Sequence, residues 1–109
     1  MKSGYIVKTA ILGLIMSAAV SSQSVFAADG EKLYTEKLCM TCHGTEGKEP
    51  IMPLYPKVNG QSKEYTAAQI KMIKDGTRAG GLTAAMKAMV ATLTDEEIEA
   101  ISEYLSAIE

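Results

Sequence analysis

Five residues, CMTCH at 39–43, hold both cysteines and the only histidine of this chain. No other stretch restricts the architecture as much, because Cys39, Cys42 and His43 gather two thiols and an imidazole within about one turn of backbone. Such a cluster points to a redox or metal centre around which the remaining residues must be arranged. Which centre it is depends on the compartment and on the other ligands the chain can offer.

The compartment is read from the first residues. MKSGYIVK carries two lysines and no acid, AILGLIMSAAV (10–20) is an apolar run of eleven residues, and SSQSVFA turns polar and then small. This is the order of a secretory signal peptide. The apolar run is shorter than the roughly 20 residues a spanning helix needs, so no stable membrane insertion is expected once the leader is removed. Cleavage after Ala27 leaves a domain over 28–109, which is 82 residues. Lys2 and Lys8 go with the leader and no acid does, moving the net charge from −2 to −4. No basic cluster remains, which argues against a nucleic-acid partner.

A chain of this size builds only a marginal core and often relies on a disulfide, metal or cofactor. Here the large rings are scarce as well: there is no Trp, and the only Phe, Phe26, lies in the leader. The sequence leaves room for a large apolar group that is not an amino acid.

Three main helices are predicted, with no strand-like alternation and no repeats, so the domain reads as all-α. The first spans about 30–41, with Asp29 as its cap and Leu33, Tyr34 and Leu38 as an apolar stripe, and runs into CMTCH. Residues 44–61 contain all three prolines and three glycines, a loop long enough to be functional or wrapped around something. The second helix spans about 63–75, capped by Ser62 and ended by Gly76, with Tyr65, Gln69, Met72 and Ile73 along one side. The third spans about 95–108. Thr94 and Glu97 form a capping box there, and Ile98, Ile101, Leu105 and Ile108 repeat at helical spacing. Residues 82–91 are compatible with partial helix.

CMTCH admits four readings. A structural disulfide suits an exported protein. A thioredoxin-type site is expected near βαβ patterning, which is missing. A structural zinc site wants four Cys or His ligands, and the chain has three. Covalent haem attachment by Cys-x-x-Cys-His uses every group: each thiol adds to one vinyl group, and the following histidine reaches the iron. The geometry favours this last reading.

At this point the sequence resembles the class I c-type cytochromes, especially the small bacterial ones. DGEKLYTEKLCMTCHGTEG resembles that family's first helix and haem site, YPKVNGQSKEYTAAQIKMIKDGTR its middle loop and helix, and MKAMVATLTDEEIEAISEYL its sixth-ligand loop and terminal helix. The likeness covers nearly all of 28–109. It implies a small cytochrome c-like domain of three helices and loops wrapped around one covalent haem c, with His43 and a methionine on the iron. Among five methionines, Met40 lies inside the motif, Met52 in the Pro-rich loop and Met72 on a helix face, which leaves Met86 and Met89. In similar sequences the ligand precedes by about seven residues the hydrophobic residue that introduces the cap; Leu93 takes that place, which favours Met86 over Met89. The resemblance further implies that the Pro56 carbonyl supports His43, that Tyr34, Tyr104 and Gly30 lie where the first and last helices cross, and that Arg78 either pairs with a haem propionate or stays solvated.

With two protein ligands the iron keeps no open position, so the expected role is electron transfer and not enzymatic turnover. The resemblance thus implies a monomeric periplasmic carrier of single electrons between redox proteins of an electron-transport chain. The alternative is a cytochrome subunit of a periplasmic dehydrogenase or oxidase complex.

Overall fold

The computed structural model describes residues 25–109 and Gly13. The expected leader, 1–27, falls outside the described residues apart from Gly13 and 25–27. All regular structure among the described residues is helical: α1 (Val25–Glu36), α2 (Met40–His43), a 3-10 turn (Thr45–Gly47), α3 (Lys63–Asp75), α4 (Thr83–Val90) and α5 (Asp95–Ser106).

Both ends of α1 depart from the sequence reading. Asp29 does not cap it; the helix begins at Val25, four residues earlier. Ala27 and Ala28 are the strongest helix formers and let the turns continue past Asp29. At the other end α1 stops at Glu36 instead of running to 41. The Cys39 amide bonds the Tyr34 carbonyl at 3.1 Å, the Leu38 amide bonds the Thr35 carbonyl at 3.1 Å, and Leu38 is left-handed at φ 63°. This paired closure normally uses glycine at the left-handed position. A leucine there costs about 1–2 kcal/mol. Its side chain is 55% exposed and does not extend the apolar stripe.

The other two main helices follow their caps. Ser62 accepts from the Tyr65 amide at 3.2 Å, and Gly76 ends α3 with φ 86°. The buried face of α3 is Thr66, Ala67, Ile70 and Ile73, so Tyr65 is exposed and the stripe lies one residue further on than its spacing suggested. Thr94 and Glu97 form the capping box of α5. Ile98, Ile101 and Leu105 of α5 are buried, while Ile108 lies past the helix end and is half-buried.

α5 is the centre of the domain, packed on α1 and α3, with α3 also against α4. Leu93, Ile98 and Ile101 are at most 2% exposed and join Tyr34, Ile70 and Ile73 in one core. Burying each such aliphatic side chain contributes about 1.5–3 kcal/mol. A Cβ on Gly30 would collide with the Ala100 carbonyl and with Tyr104, so only glycine lets α1 and α5 approach this closely. The Tyr34 and Tyr104 rings meet there at 5.7 Å. The 44–61 loop closes on itself through Val58 N–H to the Gly47 carbonyl (2.9 Å) and is pinned to this frame by Gly60 N–H to the Leu105 carbonyl (2.9 Å).

Candidate cofactor site

The closure of α1 sets where the motif starts. Because Leu38 reverses the chain, Cys39 begins a new short turn, and the His43 amide returns to the Cys39 carbonyl at 3.1 Å. Cys39 and Cys42 are therefore one turn apart, and both are free thiols. Gly44 then leaves the turn at φ 76°, where a Cβ would run into Glu49 backbone. Burial pushes the Cys39 thiol up to about 11, so it rests protonated. A thioredoxin-type nucleophile needs the opposite shift.

His43 is 9% exposed, and its Nδ1 lies 2.8 Å from the Pro56 carbonyl oxygen. A carbonyl only accepts, so in the neutral ring Nδ1 carries the proton and Nε2 keeps a free lone pair. The ring is thereby oriented and its second nitrogen is available to a metal. On the far side of the motif the Tyr34 hydroxyl donates to the Gly44 carbonyl at 2.6 Å. Burial, with Cys39 alongside, pushes the Tyr34 phenol well above its ordinary value and keeps it a donor.

Cys39, Cys42, His43 and Pro56 border one cleft of about 520 Å³, within the range of cofactor sites. Met86 and Met89 border the same cleft; Met40, Met52 and Met72 do not. The two methionines are three residues apart on α4, a helix the sequence left undecided. Met86 packs against the core, whereas Met89 is 43% exposed. Apolar side chains of α3 and α5, among them Ile70, Ile73 and Ile101, complete the lining. Arg78 is exposed at the cleft, and its guanidinium donates to Gln69 Oε1 at 3.0 Å.

Two thiols one turn apart, an imidazole with a free nitrogen, two thioethers and an apolar cleft fit the donor set of a covalently bound haem. Zinc fits poorly, since no group of three or more His, Cys, Asp or Glu able to hold a metal exists among the described residues.

Some contributors have no signal in the sequence. The left-handed Leu38 lacks the glycine that marks such turns. The Tyr34 hydroxyl reads as plain core packing. The Lys74 ammonium donates to the Leu93 carbonyl at 2.5 Å, tying α3 to the segment that follows α4. Lys37 pairs with Glu97 at 3.0 Å, tying the end of α1 to the start of α5.

The sequence model of the cytochrome c family matches residues 27–109. Cytochrome c-554(548) of Halomonas halodenitrificans is 42% identical over 83 residues, which is 76% of this chain and 95% of that protein. Cytochrome c-553 of Nitratidesulfovibrio vulgaris is 31% identical over 98 residues, 90% of this chain and 94% of its own. Reduced recombinant cytochrome c4 from Pseudomonas stutzeri superposes with a TM-score of 0.70 at 31% identity, over 80% of this chain and 50% of that one. Motif, helix order and relatives agree over the same stretch: the chain belongs to the cytochrome c family, as a small class I c-type cytochrome with one covalent haem c and the electron carriage that goes with it.

Proposed function

We propose that the protein is a periplasmic carrier of single electrons in which His43 and Met86 would hold the haem iron. Cys39 and Cys42 anchor the group through two thioethers. The observation that carries this reading is the 2.8 Å contact from His43 Nδ1 to the Pro56 carbonyl, in the same cleft as Met86. Haem c bound there supplies reversible one-electron exchange. The residues supply the conditions for it. Pro56 holds the imidazole in one tautomer and plane, and Met86 offers a neutral sulfur from a half-buried position on α4. The apolar lining excludes water and disfavours the extra positive charge of the oxidised state, which together with Met ligation raises the potential.

Met86 and Met89 are separated by mutation. Sulfur on ferric low-spin haem gives a weak far-red band. Met86→Ala is expected to abolish it, lower the potential and open the iron to cyanide or carbon monoxide. Met89→Ala is expected to keep the band. The reverse pattern would make Met89 the ligand, and loss in neither would move the ligand elsewhere.

Export and cleavage after Ala27 are part of the same proposal; the mature protein should begin at Ala28 by mass spectrometry, and an N-terminus at Met1 in purified holoprotein excludes it. The second reading, a subunit of a periplasmic dehydrogenase or oxidase complex, is favoured by adjacent Ile51 and Met52, exposed at 64% and 39% and outside the cleft lining. Gel filtration of native extract distinguishes an 82-residue monomer from a complex.

A further inference from the structure

One residue of α1 is bonded at both ends of CMTCH. The Tyr34 carbonyl accepts from the Cys39 amide at 3.1 Å, and the Tyr34 hydroxyl donates to the Gly44 carbonyl at 2.6 Å. The side chain is 2% exposed and rests against Tyr104 of α5. The peptide that follows His43 is therefore tied to the α1–α5 crossing. Phenylalanine would fill the same ring space. The Gly44 carbonyl also accepts from the Gly47 amide at 3.1 Å, so it is not orphaned without the hydroxyl. A hydroxyl that neither fills the core nor rescues a lone carbonyl acts through the position of what it holds.

We propose that Tyr34 is a positioning residue for His43, its hydroxyl fixing the turn at Gly44 and thereby keeping the imidazole on the Pro56 carbonyl. This deepens the reading above and rests on His43 being an iron ligand.

The test is proton NMR of oxidised holoprotein. In the natural protein the His43 ring signals are expected to be paramagnetically displaced and the Nδ1 proton to exchange slowly with water. Tyr34→Phe is expected to move those ring signals and speed the Nδ1 exchange about tenfold, on the scale of one lost hydrogen bond. Tyr104→Leu removes the ring pair and keeps the hydroxyl bond, so it lowers the melting temperature without speeding that exchange. Unmoved signals and unchanged exchange in Tyr34→Phe, or equal effects in both variants, overturn the role of Tyr34 and leave the ligand reading standing. Undisplaced His43 signals in the natural protein overturn both. Should Tyr34→Phe yield no holoprotein, the natural protein still decides. Its Tyr34 hydroxyl proton is expected to be resolved and slow to exchange, and a fast one overturns the inference.

Discussion

The two sides of the cleft are held by different means. The motif side rests on the α1–α5 crossing, where Gly30 seats against Ala100, Tyr34 is 2% exposed and the Thr94–Glu97 box starts α5. The α4 side is looser. Gly76, Gly80 and Gly81 precede it with positive φ, Val90 is the one buried residue of α4, and Leu82 and Met89 are exposed. Its polar ties include Lys74 to the Leu93 carbonyl and Arg78 to Gln69. The fold thus holds the histidine side more firmly than the α4 side. Segments with few buried contacts open at lower free energy than the core.

The largest effect expected concerns the covalent anchor. Cys39→Ala or Cys42→Ala should leave at most one thioether and sharply reduce holoprotein, measured as haem retained by the polypeptide after acid extraction. Normal double attachment would remove the basis for assigning the motif. Next comes the crossing itself. Ile98 is fully buried, and Ile98→Ala should cost about 2–5 kcal/mol in thermal or denaturant unfolding. A loss below 1 kcal/mol would mean that α5 is not the central support.

Met86→Ala sharpens the contrast most directly. By hydrogen exchange, amides of 83–90 should lose protection about tenfold or more while those of 98–105 keep theirs. Equal loss in both helices would show one cooperative unit and erase the distinction. Thr94→Ala should cost about 1 kcal/mol by loss of the cap, confined to the crossing side.

The smallest effect is a pH dependence. The Lys37 ammonium paired with it holds the Glu97 carboxyl below the usual glutamate value, with Thr94 assisting. A depressed carboxylate stabilises the fold above its unfolded pKa, and that contribution fades as pH falls through the folded one. Melting temperature should therefore decline on the acid side of the carboxylate range. Lys37→Met should shrink that decline, and an identical pH profile in the variant would exclude the pair as its source.

The parts of the molecule visible in the sequence are those with local signals. Ser62, Gly76 and the Thr94–Glu97 box each mark a helix end within four residues, and α3 and α5 begin where those caps place them. The ends of α1 were hidden for opposite reasons. Asp29 resembles a cap but sits inside a run that alanines extend, and Leu38 reverses the chain without the glycine that announces a reversal. CMTCH narrows the chemistry to four readings because three rare residues coincide, and the missing βαβ pattern and fourth zinc ligand narrow it further. The two candidate methionines could not be told apart by position on a helix, since helix 83–90 has no capping side chain. Contacts such as Tyr34 to Gly44 depend on tertiary packing, which no spacing encodes.

The seat of Gly30 against Ala100 joins positions seventy residues apart. Closing a loop of that length costs about 4 kcal/mol of chain entropy in the simplest expression, and contacts so distant in sequence slow folding. Neither α1 nor α5 can assemble this junction from its neighbours in sequence. The crossing beneath the histidine therefore has to wait for nearly the whole chain, and its assembly, more than the formation of any single helix, is expected to limit the rate of folding.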